Sequence, residues 1–139
     1  MLRKSRVVVI DDNQGDLFLV KEALRREGLD CEIVSLRDGA QAIEFLCGAD
    51  GVAHCPDCIL LDFNLPKVRG DDVLKAIRER PHLAEVPILV WSSSLSSGAN
   101  LMKDGSSLTH FVEKPLELHK FLAVGAKIRS LLEASHKNE

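Results

Sequence analysis

Five residues of this chain stand where apolar runs stop. Asp11 and Asp12 follow "RVVVI", Asp62 follows "CILL", Ser92 closes "PILVWS" and Lys114 follows "HFVE". Taken singly, each has a bland explanation, because a polar residue after a strand commonly caps a turn or the next helix. Taken together they are three carboxylates, a hydroxyl and an ammonium drawn from four separate stretches. Such a set could bind a hard cation, offer a carboxylate as nucleophile toward phosphorus and hold the charge of a transferred group. Whether they meet depends on the elements that carry them.

The chain has 139 residues, 45% hydrophobic and 28% charged, with a formal net charge of -3. That is the size and profile of one globular domain with a real core. The charge argues against nucleic acid as a partner. "MLRKSR" is followed by too few apolar residues for a signal peptide, and no stretch is long enough for a membrane span, so a cytoplasmic protein is expected. "CPDC" at 55–58 has thiol spacing suited to metal or redox work. It lacks a second pair or a matching His, and Cys58 lies inside an apolar run, so packing is the expectation there. The five histidines are scattered and read as surface or rim residues.

Strand and helix patterns alternate along the sequence. Strands are expected at 6–10, 31–36, 58–62, 87–92 and 110–113 from short β-branched or apolar runs. Polar Glu32 and Ser35 mark the second as a sheet edge. Helical stripes run over 15–27, 39–47 and 70–80, and a long final helix carries Leu118, Phe121, Leu122, Gly125, Ile128 and Leu132 on one face. Residues 48–57 read as a loop, and the end of the chain, "EASHKNE", as a frayed tail. A fourth helix belongs at 93–105, yet its Ser, Gly and Asn make it a poor helix former. Five strand–helix units imply an α/β fold: a doubly wound parallel sheet with right-handed crossovers. The flavodoxin-like order 2-1-3-4-5 follows from the rule for such folds, which also places ligands at the carboxyl ends of the strands.

In that order the strands ending at Asp11–Asp12, Asp62, Ser92–Ser93 and Lys114 are consecutive neighbours about 4.8 Å apart. Two carboxylates about 4 Å apart repel by roughly 1 kcal/mol in water and about 4 at an effective dielectric of 20. Lys114 alone leaves an excess of negative charge. Hard oxygen donors with no soft ligand favour Mg²⁺. Asp12 and Asp62 are the expected direct ligands, Asp11 acts through a water, and the backbone oxygen of Asn64 completes the protein's share. Asp62 is then the candidate nucleophile for phosphoryl transfer, Lys114 stabilises the transferred charge, and Ser92 donates a hydrogen bond to a new phosphoryl oxygen.

"VVVIDDN", "ILLDFNLPKVRG", "PILVWSSS" and "FVEKP", in this order over essentially the whole chain, resemble the signatures of the bacterial response-regulator receiver domain. The resemblance implies one receiver domain over 1–139 with no effector domain, and a phosphoacceptor signalling protein rather than an enzyme. It implies that Asp11 and Asp12 bind Mg²⁺, that Asp62 accepts a phosphoryl group from a sensor histidine kinase or phosphotransfer protein, and that Lys114 contacts the phosphate. Ser92 and Phe111 would couple phosphorylation to a surface change, although Phe111 reads equally well as a core residue of its strand. The Lys114–Pro115 bond would be cis. "DDNQGDLFLVKEAL" and the long loop before the third strand are similar to single-domain regulators that serve phytochromes and related hybrid kinases. Phe63, after Asp62, departs from the more familiar Trp or aliphatic residue.

On this reading Ser92 moves toward the phosphoryl group, the segment at 93–97 follows, and Phe111 fills the space left. The output surface is the fourth helix, the fifth strand and the final helix, facing a downstream protein or a second copy. Asn64 and Ser94 sit where the family tunes phosphoryl lifetime. Two rivals stand beside it. A haloacid-dehalogenase-like phosphatase also uses a strand-end Asp with Mg²⁺, but needs an Asp where this chain has Asn64. A scaffold that ignores phosphorylation would have no need of the acidic pair, Asp62 and Lys114. A nucleotide site would need a Gly-rich first turn, which "DDNQGD" is not.

Overall fold

The computed structural model describes residues 4–92, 108–115 and 117–136. Five strands, β1 (Ser5–Ile10), β2 (Cys31–Leu36), β3 (Cys58–Asp62), β4 (Ile88–Ser92) and β5 (Thr109–Glu113), form one parallel sheet in the order 2-1-3-4-5. The helices are α1 (Gln14–Arg26), α2 (Gly39–Cys47), α3 (Ala49–Ala53), α4 (Gly70–Arg78) and α5 (Leu118–His136), with one 3-10 turn at Pro81–Leu83. The fold class expected from the alternating pattern and the strand order expected from the rule for doubly wound folds are those observed.

Alternation along the strands divides the core into two layers. Val7, Val9, Leu60, Leu89 and Trp91 meet Leu17, Val20 and Leu24 of α1 and Phe121, Val124 and Ile128 of α5. Val8, Ile10, Ile59, Leu61 and Val90 point the other way, onto Ala42 and Leu46 of α2 and Val73, Leu74 and Ile77 of α4. β3 and β4 are buried along their whole length. β2 and β5 are half-covered and close the sheet at either edge. Continuous apolar runs thus mark the inner strands and interrupted runs the outer ones.

Local chemistry sets where the helices start and stop. Asn13 caps α1 by accepting from the Gly15 and Asp16 N–H groups, and Asp38 caps α2 by accepting from the Gln41 N–H. Gly28, at φ +73°, ends α1 with the Gly28 N–H on the Arg25 carbonyl and the Leu29 N–H on the Leu24 carbonyl. Three expectations change. Residues 49–53 inside the expected loop form the short helix α3, seated so closely on α2 that a Cβ at Gly51 would lie 2.0 Å from the Leu46 carbonyl oxygen. α5 runs on to His136, carrying residues 133–136 in helix, and its inner face includes Val124 and Leu131. The Lys114–Pro115 bond is trans, as is every described peptide bond; the isomers before proline differ by only about 0.5–1 kcal/mol, so motif likeness does not fix the choice. The expected fourth helix at 93–105, with Ser93 and Ser94, lies outside the described residues.

Cys58 is fully buried and burial pushes its thiol up to about 12, so it acts as packing, as expected. No described helix is long and apolar enough to cross a membrane.

Candidate functional site

One compact turn fixes the acidic end of β1. The Asp11 N–H donates to the Leu36 carbonyl at 3.0 Å, so the strand holds Asp11 one residue past its formal end. The Asp11 side chain accepts the Asn13 N–H at 2.8 Å, which turns the chain, and Asn13 in turn caps α1. Asp11, the exposed Asp12 and Asp16 are thereby set around one rim.

The end of β3 is held as firmly. The Phe63 N–H donates to the Trp91 carbonyl at 2.9 Å, and Oδ1 of Asp62 accepts the Asn64 N–H at 3.0 Å. The Asn64 amide reaches across to Ser92 Oγ at 3.3 Å. The chain can then fold back because residue 70 has no side chain: a Cβ on Gly70 would stand 2.4 Å from the Phe63 carbonyl oxygen. Lys67 adopts a left-handed φ of 69° in this turn and pairs with Asp38 at the start of α2. Just past β5, the Lys114 N–H donates to the Ser92 carbonyl at 2.7 Å, which brings the lysine beside β4.

These anchors bring the expected residues into one pocket. Carboxylate oxygens of Asp11, Asp12 and Asp62 all lie within 4.8 Å of one another. Lys114 Nζ donates to Asp62 at 3.0 Å, to Asp11 at 3.4 Å and to Asp16 at 2.7 Å. Asp11, Asp62 and Ser92 are buried. Burial pushes the Asp11 carboxyl up to about 7, while the Asn13 N–H and the Lys114 ammonium pull it down. Burial pulls the Lys114 ammonium down, but its bonds to Asp16 and Asp62 outweigh this and raise it above the ordinary lysine range. The pocket therefore carries one firmly protonated amine among four carboxylates, one of them held near neutrality by lack of solvent. A hard divalent cation matches both the donor set and the surplus charge.

Asp16 is the member the sequence reading missed. An Asp in the first turn of a helix is ordinary, favoured by the helix dipole, so only its contact with Lys114 marks it. Trp91 is also drawn in: Lys114 Nζ lies 4.9 Å from its ring centroid, and Phe121 packs edge-on against it. The indole N–H is buried without a hydrogen-bond partner among the described residues. Phe111 is half-buried, packed on the α2–α4 layer opposite Val90, on the sheet face that Val90 and Ser92 share. It is not in contact with the carboxylates in any described interaction.

Compared with known proteins, residues 7–124 match the response regulator receiver domain family. The chain is 38% identical over 90 residues to response regulator Rcp1 of Synechocystis, a match covering 63% of this chain and 61% of that protein, so it spans less than two thirds of that relative. It is 31% identical over 111 residues to the probable methanogenesis regulatory protein FilR2 of Methanothrix harundinacea, covering 79% and 72% of the two chains. The crystal structure of the phosphorylated cyanobacterial phytochrome response regulator RcpA superposes with a TM-score of 0.82 at 29% identity, covering 96% of each chain. The Mn²⁺-bound form of Rcp1 gives 0.77 at 30%, covering 91% and 92%.

Proposed function

The chain belongs to the response regulator receiver domain family, and on that premise we propose that it is a phosphoacceptor switch in which Asp62 takes a phosphoryl group from a phosphohistidine of a sensor kinase or phosphotransfer protein. The observation that carries this is the meeting of Asp11, Asp12 and Asp62 with Lys114 at the carboxyl ends of neighbouring strands. In the transfer, a carboxylate oxygen of Asp62 forms a bond to phosphorus as the phosphorus–nitrogen bond of the donor breaks, and the departing imidazole nitrogen keeps the electron pair and takes a proton. The Lys114 ammonium faces the growing charge on the phosphoryl oxygens. Ser92, whose hydroxyl accepts from the Asn64 amide, would hydrogen-bond the attached group.

Asp11, Asp12 and Asp62, with the backbone oxygen of Asn64, would hold Mg²⁺. When bound, the ion offsets charge on the transferring group. Asn64 favours a phosphoacceptor over a haloacid-dehalogenase-like phosphatase, because its amide cannot serve as the general acid that such an enzyme places there. The likeness to RcpA, a cyanobacterial phytochrome response regulator, supports a phytochrome-type kinase as donor, and a site serving such kinases belongs on the cytoplasmic side. The output is a contact with a downstream protein or a second copy, coupled through Ser92 and Phe111.

Acetyl phosphate with Mg²⁺ should label the protein once, at a hydroxylamine-sensitive acyl phosphate. Asp62→Asn should abolish the label. Labelling that survives the substitution, or turnover of phosphatase substrates, would overturn the reading.

A further inference from the structure

The shortest contact of the Lys114 ammonium goes to Asp16 at 2.7 Å, inside the range of charge-assisted bonds, against 3.0 Å to Asp62 and 3.4 Å to Asp11. A lysine ammonium has three N–H donors, and three carboxylates take them. Asp16 is itself fixed: it stands in the first turn of α1, its backbone N–H is bonded to the Asn13 cap at 3.1 Å, and its side chain is 15% exposed. We propose that Asp16 is a positioning residue that competes with a phosphoryl group for Lys114 and so sets how tightly the site takes one.

The inference rests on Asp62 being the phosphoacceptor. Phosphorylation converts the Asp62 carboxylate into the uncharged acyl part of an acyl phosphate and adds about -1.5 to -2 charges on three acceptor oxygens. The hold of Asp62 on Lys114 then passes to the phosphoryl oxygens. Asp16 is chemically unchanged by the transfer and keeps its hold. The ammonium is therefore divided between a fixed carboxylate on α1 and the new anion on β3. Removing the charge of Asp16 frees the ammonium for the phosphoryl group. Retaining the charge on a longer arm keeps the competition.

Beryllofluoride, a mimic of a phosphoryl group on a carboxylate, is the probe, titrated at saturating Mg²⁺ with Trp91 emission as the signal. Asp16→Asn should tighten its binding roughly two- to fivefold, the scale of one partly exposed ion pair. Asp16→Glu should stay nearer the wild type. In the free protein, the Lys114 ammonium should give a protected proton–nitrogen NMR resonance that Asp16→Asn shifts and makes exchange faster, which a merely structural role would not do. Unchanged or weaker beryllofluoride binding in Asp16→Asn overturns the proposal. So does tighter binding with the Lys114 resonance unchanged, because Asp16 would then act only as a distant charge. A wild-type protein that binds no beryllofluoride, or binds it equally after Asp62→Asn, instead removes the phosphoacceptor premise and the proposal with it.

Discussion

At the scale of single residues, Asp11 has a pH signature. Its carboxyl is raised to about 7 by burial, so its contribution to stability is fully present below the ordinary carboxylate range and is lost as pH rises through about 7. Lys114 is raised as well, but its contribution is lost only above the lysine range and is constant between pH 5 and 8. The metal-free protein should accordingly unfold at lower denaturant at pH 8 than Asp11→Asn does, with the difference shrinking toward pH 5. A wild-type protein that gains stability relative to Asp11→Asn from pH 5 to 8 would contradict the burial of Asp11. Trp91 reports on the same pocket, since the Lys114 ammonium lies over its ring. Its emission should change with Mg²⁺ and again with beryllofluoride, and Asp62→Asn should remove the second change. Asp11, Asp12, Asp62, Ser92 and Lys114 were legible because each interrupts an apolar run. Asp16 was not, because nothing in the sequence separates a helix-start Asp from one that reaches a lysine almost a hundred residues away.

At the scale of elements, the β3–α4 turn holds the phosphoacceptor candidate in place, and Gly70 lets it close. A Cβ there meets the backbone of Phe63, which cannot swing aside like a side chain. Gly70→Ala should cost about 1–3 kcal/mol of unfolding free energy, the range for overpacking a tight contact, and should lower acetyl phosphate labelling by moving Asp62. Wild-type stability and labelling in that variant would show that the turn yields freely. The helical stripe beginning at residue 70 marks the helix start that is observed, but the need for a bare backbone there comes from a carbonyl seven residues upstream. The short helix α3 was missed for a related reason. "ADGVA" has little helix propensity of its own, and its packing on α2 brings Gly51 against Leu46.

At the scale of the whole molecule, the sheet is a rigid platform with a charged rim at one end. Both of its faces are covered, and β3 and β4 have no exposed residue. A cation bound at that rim by the native state alone stabilises the entire fold by about 1.4 kcal/mol at tenfold its dissociation constant. Mg²⁺ should therefore raise the melting temperature, more at pH 8 than at pH 5 because the Asp11 proton competes with the ion, and Asp12→Asn should weaken the effect. An identical shift at both pH values would count against Asp11 facing the ion. The strand count and the residues at the strand ends were readable from the sequence, because side-chain alternation and run length are local consequences of the β backbone and of burial on both faces, whereas the order came from the rule for doubly wound folds. Which oxygen faces which donor was decided only by the tertiary structure. The share of Lys114 taken by Asp16, the near-neutrality of Asp11 and the placement of Trp91 beneath the ammonium depend on distances of a few ångströms between segments far apart in the chain, and electrostatic energy varies with those distances rather than with residue spacing.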